Sequence, residues 1–370
     1  MSDPRGVRLV DRVAFRATLA PMNARPQLKS LALDRLRDQF AAEGLPRYRA
    51  DQVAAWIYQR GVEDPRGMTD LSHELRAHLQ GSWALRALEV ERVDYSSDGT
   101  AKAALRTHDD LLVEAVWIPE EDRTTLCVST QIGCAMACSF CATGSMGFAR
   151  NLTSAEIVDQ VCRMREVVGS GRTPSNVVFM GMGEPLLNLD AVVEAVRLLI
   201  DPKAFGLAPR RVTVSTVGVV PRIGALLERV PINLAISLHA TTDEVRSRLV
   251  PLNRRYPLEA LLGALRGLDS VTRRRPVFFE YTLIAGVNDS VEDARRLPAL
   301  LAGIPSKVNL IPMNPHPDSP YAPPEAAVID DFLAALAGRG LTVTLRRSRG
   351  PDIQAACGQL ALRTRAASAA

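Results

Sequence analysis

"LCVSTQIGCAMACSFCATGSMGF", Leu126 to Phe148, decides how the rest of the chain is read. It holds four of the chain's six cysteines: Cys134, Cys138 and Cys141 at C-x3-C-x2-C spacing, and Cys127 seven residues upstream of the first. Three thiolates within eight residues can close on one metal ion or on one face of a cluster. Structural zinc takes four ligands, usually as two Cys/His pairs. No second pair is present, and the five histidines (His73, His78, His108, His239, His316) are scattered. A [4Fe–4S] cluster that only carries electrons has a cysteine at each iron. With three cysteines one iron stays open to a small molecule. The triplet therefore points to a catalytic cluster, with zinc or plain structural cysteines as the weaker alternatives.

Working outward, a strand-then-helix pattern starts at Thr125. "TTLCVST" reads as a strand ahead of the cysteine loop. Strands "NVVFMGMG", "RVTVST", "NLAISLHA", "VFFEYTLI" and "KVNLIPMN" follow, with amphipathic helices between them, among them "SAEIVDQVCRMREVV" with Ser154 as its cap. Such alternation predicts a parallel sheet with right-handed crossovers. Six units are too few for an eight-fold barrel, so the expected fold is α/β, an open partial (β/α)6 barrel. Ligands of such folds meet the loops at the carboxyl ends of the strands. The distinctive segments lie there: the cysteine loop, "GMGEP", "STVG", "SLHA" and "NPHPD".

Upstream the period changes. "LEVERVDY", "AKAALRTH" and "LLVEAVWIP" alternate as strands of a β meander. Before them, "LALDRLRDQFAAEG", "RADQVAAWIYQRG" and "MTDLSHELRAHL" read as helices, the last capped by Thr69 or Asp70. The expected organisation is an N-terminal arm over 1–27, a helical module over 28–84, a linking meander over 85–124, the barrel over 125–345 and a tail over 346–370. The module reads equally as a packing cap or as an RNA-docking unit.

Composition sets limits. The 370 residues are 47% hydrophobic, ample for a core. A net charge of +4 makes nucleic-acid binding a matter of local patches: Arg210–Arg211, Arg254–Arg255, Arg273–Arg275, and above all Arg346, Arg347 and Arg349. No run of 18 apolar residues is present and the N-terminal stretch lacks a leader's apolar core, so a cytoplasmic protein without membrane contact is expected. Six cysteines are too sparse for a disulfide scaffold.

C-x3-C-x2-C in the first β/α loop of a six-fold partial barrel resembles the radical S-adenosylmethionine (SAM) enzymes, whose open iron binds SAM and whose bound cluster cleaves it to a 5′-deoxyadenosyl radical. Over nearly the whole chain, "CVSTQIGCAMACSFCATG", "VVFMGMGEPL", "VTVSTVG", "ISLHA", "VNLIPMNP" and "RGPDIQAACGQL" resemble the RlmN-type adenine-C2 RNA methyltransferases. That resemblance implies a [4Fe–4S] cluster on Cys134, Cys138 and Cys141. It implies a SAM site at Gly183, Glu184, Ser215, Ser237, Leu238, His239 and Asn314. It makes Cys357, in "AACGQL", a methyl carrier: SAM first methylates its sulfur, and the resulting S–CH2 radical then adds to adenine C2. The detour has a chemical reason, because C2 is not nucleophilic and cannot attack SAM directly. Release of the covalent adduct would need a base for the C2 proton, Glu114, and a thiol, Cys127, that leaves a disulfide with Cys357 for a thiol reductant to reset.

The implied targets are adenine 2503 of 23S rRNA and adenine 37 of tRNA, with a flavodoxin- or ferredoxin-type electron donor. By themselves the same residues have plainer readings: a lone serine or histidine at a strand end, a solvent-facing Glu114, a late cysteine acting as a small hydrophobe. Two rivals stay open: methylation at C8 of the same adenine, and a non-enzymatic iron–sulfur or zinc RNA-binding protein. Cys162, on a helix, reads as packing.

Overall fold

The computed structural model describes residues 25–361 apart from Ser170 and Asp318. Most of the expected N-terminal arm lies outside the described residues. Three helices open the chain: α1 (Leu33–Ala42), α2 (Tyr48–Ala54), which widens into a π turn over Ala55–Gln59, and α3 (His73–Ser82). Of Val53, Trp56 and Ile57, whose spacing puts them on one helix face, Val53 and Ile57 are buried and Trp56 is half-buried. The cap of α3 differs from expectation: Ser72 accepts from the Leu75 amide at 3.3 Å. Asp70 is used elsewhere, taking the Trp56 indole N–H and pairing with Arg60 at 3.3 Å.

The meander follows as β1 (Glu89–Tyr95), β2 (Ala101–Arg106) and β3 (Leu112–Pro119), then β4 (Thr124–Cys127). A hairpin that the sequence did not announce, β5 (Gln131–Gly133) and β6 (Phe148–Asn151), brackets the cysteine loop and the single turn α4 (Ala142–Ser145). The alternating body is α5 (Ser154–Val168), β7 (Asn176–Phe179), α6 (Leu189–Ile200), β8 (Val212–Thr216), α7 (Val220–Arg229) and β9 (Asn233–Ser237). It continues through α8 (Asp243–Leu249), a further unannounced helix, then α9 (Leu258–Arg266), β10 (Val277–Leu283), α10 (Val291–Leu300), β11 (Ser306–Pro312), α11 (Ala326–Leu336) and β12 (Thr342–Leu345). The cap of α5 is Thr153 rather than Ser154. Thr153 and Glu156 form a reciprocal capping box, and the Ser154 hydroxyl instead donates to the Ser30 carbonyl at 3.1 Å.

All strands but the β5–β6 pair form one sheet, ordered β1-β2-β3-β4-β7-β8-β9-β10-β11-β12. β1 to β4 pair antiparallel and β4 to β12 pair parallel. With β1 and β12 at opposite edges the sheet stays open, a partial barrel. Meander and barrel are therefore one continuous surface, and register decides which residues share a face. Leu126, Val177, Val212, Val214, Leu234, Ile236, Phe279 and Val308 line one face, all buried in the main core. The other face carries Cys127, Ser215, Ser237, Glu280 and Asn309. Across β3 and β2 that same face continues through Val116 and Glu114 to Lys102.

The helical module is fastened to the barrel by buried charge. Lys29, 1% exposed, pairs with both Glu63 and Asp159 of α5, and Arg163 pairs with Glu63 as well. The second oxygen of Asp159 accepts from the amides of Ala87 and Leu88 at 2.7 and 2.8 Å, tying in the approach to the meander. Cys162 packs beside this group, as expected of a helix cysteine.

Candidate active site

The cysteine loop is built by short-range backbone bonds. The Cys134 amide donates to the Gly147 carbonyl at 2.7 Å, Cys141 to Cys138 at 3.1 Å, and Gly144 to Cys141 at 3.0 Å. Gly144 is required there, because a Cβ would stand 2.8 Å from the Cys138 carbonyl oxygen. Burial raises all three thiols, Cys134 to about 11, and the neighbouring sulfurs add to the effect at Cys138. Sulfurs so placed favour the thiolate only beside a cationic centre. Among the described residues, the ligand-type groups whose donor atoms all fall within 4.8 Å of one another are Glu63–Asp159–Cys162 and His108–Asp109–Glu156. The three loop sulfurs do not all lie that close together.

The three cysteines line one cleft with Gly183, Glu184, Ser215, Ser237, His239, Asn314 and Cys357. Gly183 has φ +102, and a Cβ there would lie 2.5 Å from Gln131. Gln131 in turn accepts the Glu184 amide at 2.8 Å. Glu184 is 2% exposed, accepts from the Val217 and Leu186 amides at 2.9 and 3.0 Å, and pairs with no lysine or arginine among the described residues. Burial pushes its carboxyl up to about 7. A buried carboxylate without a cation, facing the cysteines, fits the ammonium of an amino-acid ligand.

His239 is buried at φ +59, and its Nδ1 accepts from the Thr282 amide at 3.0 Å. Burial lowers it to about 3, so the ring is neutral. Leu238 does not line the cleft: its side chain is in the core, its amide bonds to Glu280 and its carbonyl to Arg246. Asn314 lines the cleft but spends its amide on the Cys357 carbonyl, at 3.1 Å, and its oxygen on Ser348.

The tail is docked onto the cysteine loop. The Ala142 amide donates to the Gly358 carbonyl at 2.7 Å, Thr143 Oγ1 to the Leu360 carbonyl at 2.6 Å, and Gln359 to the Pro315 carbonyl at 2.7 Å. Cys357, remote in sequence, is thereby exposed in the same cleft as Cys134, Cys138 and Cys141. Cys127 lies behind it, pushed up to about 12 by burial and by the Cys357 sulfur nearby. Glu114 is fully buried, and burial raises its carboxyl. The Lys102 ammonium stands 3.2 Å from Oε1 and is the carboxylate's one ion-pair partner among the described residues.

Two buried neighbours of the site escaped the sequence reading. Arg246, 1% exposed, holds the carbonyls of Val217, Ser237 and Leu238, and so sets the ends of β8 and β9. Its only sequence signal is an arginine three residues into a short helix. Lys102 is the other. Arg346, read from sequence as an RNA contact, reaches Glu280 at 3.8 Å and lies near Cys357 and Cys127, and Arg347 is exposed.

The described helices include none long and apolar enough to cross a membrane. Residues 128–297 match the radical SAM superfamily, and residues 27–84 match the ribosomal RNA large subunit methyltransferase N-terminal domain. A dual-specificity RNA methyltransferase RlmN of Geobacter sulfurreducens is 48% identical, with 92% of this chain and 93% of that protein covered. The RlmN of an Anaeromyxobacter species is 51% identical, with 91% of each covered. The crystal structure of a radical SAM methyltransferase from Sphaerobacter thermophilus superposes with a TM-score of 0.85 at 46% identity, over 90% of this chain and 98% of that one.

Proposed function

The chain belongs to the RlmN family of radical SAM RNA methyltransferases, and on that premise we propose that it methylates C2 of adenine 2503 in 23S rRNA and of adenine 37 in tRNA. As a member it takes a [4Fe–4S] cluster and SAM. Cys134, Cys138 and Cys141 would hold the cluster, and Gly183, Glu184, Ser215, Ser237 and His239 would hold SAM. When bound, these groups supply the methyl of Cys357 and the radical that removes a hydrogen from it. Leu238 and Asn314 act at one remove: Leu238 by shaping the strand end, Asn314 by fixing the Cys357 backbone.

The protein's own residues do the rest. Cys357 carries the one-carbon unit to C2. Glu114, with open lone pairs and little water around it, takes the C2 proton. The Cys127 thiolate attacks the Cys357 sulfur, the S–C bond breaks, and the methylene left on the adenine takes a proton to become the methyl group. The unpaired electron from the radical addition leaves to a one-electron carrier of the donor's type, so that a Cys127–Cys357 disulfide remains for a thiol reductant. Arg346 offers a cation to both sulfurs during the exchange. The helical module, matched to the family's N-terminal domain, is read as an RNA-docking unit rigidly tied to α5, and exposed Arg347 as a phosphate contact. The electron donor is of the flavodoxin or ferredoxin type.

The observation that carries this reading is the docking of the tail: three hydrogen bonds from Ala142, Thr143 and Asn314 bring the Cys357 segment to the cluster loop. The test is mass spectrometry of the Cys357 peptide from anaerobically purified, iron-replete protein, with nucleoside analysis of the RNA product. A methylated Cys357 and 2-methyladenosine are expected. An unmodified Cys357 would overturn the two-stage route, and 8-methyladenosine would overturn the site of transfer.

A further inference from the structure

Lys102 is buried in the meander, and nothing in the proposed reaction uses it. A buried ammonium needs partners, and Lys102 has two. One is Glu114 Oε1 at 3.2 Å. The other is the Gln354 carbonyl, to which Nζ donates at 3.3 Å. Register explains the first contact: Lys102 pairs with Val116 and Ala104 with Glu114, so Lys102 and Glu114 are diagonal neighbours on one face. The second reaches the tail three residues before Cys357. Gln354 is held there at φ +54, a conformation that a side-chain-bearing residue keeps only when its surroundings fix it.

We propose that Lys102 is a positioning residue for release of the RNA adduct, registering the Glu114 carboxylate against the segment that carries Cys357. One ammonium grips both, so base and sulfur are set relative to each other by a single side chain. The inference rests on Glu114 as the base. Next to Glu114 on this face are Arg92 and Asp94 of β1, which pair with each other at 3.2 Å, and the Cys127 thiol of β4; Glu280 stands on the same face further along, on β10. Lys102 is thus the cation nearest Glu114 that is not already paired to another carboxylate. It favours the charged carboxylate that burial opposes, so its removal raises the pH at which the base becomes available.

The test is single-turnover methylation of a 23S rRNA fragment by reconstituted holoenzyme, following S-methyl-Cys357, covalent adduct and free product across pH. Lys102→Met is expected to keep Cys357 methylation and adduct formation. It should slow adduct release by about tenfold or more at neutral pH and displace the acid limb of release to higher pH. Lys102→Arg should restore the limb. Release unchanged in rate and pH profile overturns the inference. So does loss of Cys357 methylation in Lys102→Met, which would make Lys102 a prop for the tail alone. Glu114→Gln separates the two readings: normal release by that variant removes the base itself, whereas a stall there with a normal Lys102→Met removes only Lys102.

Discussion

The molecule contains two buried groups made of the same residue types: Lys29, Asp159 and Cys162 between the helical module and α5, and Lys102, Glu114 and Cys127 on the inner face of the sheet. Each cysteine is pushed up to about 12 by burial. The carboxylates part company. Asp159 receives Lys29, Arg163 and two backbone amides, and those partners hold it well below the usual carboxylate range despite its burial. Glu114 has one ammonium and no backbone donor among the described residues, and burial raises it. A fully satisfied buried ion group fixes one structure, and removing a member leaves the others uncompensated. An under-satisfied carboxylate keeps lone pairs for a proton. Composition does not separate a satisfied ion group from an open carboxylate; the count of donors does.

The sharpest contrast is between the two cysteines. Cys127→Ala should abolish multiple turnover and accumulate a covalent protein–RNA species, visible on a denaturing gel, while Cys162→Ala should leave turnover unchanged within about twofold. Equal behaviour of the two variants would erase the distinction. Next come the carboxylates. Glu114→Gln should lower adduct release by about 10²–10⁴ in single-turnover assays, with a smaller loss of stability because Lys102 keeps the Gln354 carbonyl. Asp159→Asn should do the reverse: about 3–5 kcal/mol of stability lost in denaturant titrations, with Lys29 and Arg163 left short of a counter-charge, and chemistry retained below the melting transition.

The smallest expected effect is the pH dependence of stability. Asp159 is depressed in the folded state, so its contribution is present above its unfolded value of about 4 and is lost as pH falls through the folded one. Glu114 is raised, so its contribution is present below its unfolded value and is lost as pH rises through the folded one. Asp159→Asn should therefore flatten the acid limb of stability, and Glu114→Gln should leave that limb in place. The same limb in both Asp159→Asn and the parent protein would remove Asp159 from the account.

Much of the chain was legible because its signals are local. The strand–helix period gave the parallel order, and the cysteine spacing gave the cluster loop. Caps were less legible, since Ser72 and Thr153 win over Asp70 and Ser154 only because tertiary contacts claim the latter pair. The β5–β6 hairpin escaped because three- and four-residue strands carry almost no period. Lys102 and Arg246 escaped because their partners lie across the sheet or on carbonyls, which leave no mark in a side-chain pattern.

What the sequence determined alone is the inventory: three thiols spaced for a cluster, six β/α units, a late cysteine and a meander with an acidic residue in an apolar strand. Tertiary structure alone decided which of them meet. Continuation of the meander into the barrel sheet puts Glu114 and Lys102 on the face of Cys127, and the tail's bonds to Ala142 and Thr143 set Cys357 in the cleft. The physical reason is that spacing along the chain controls only local periodicity. Proximity between residues more than two hundred positions apart follows from sheet register and from where buried backbone groups find their partners.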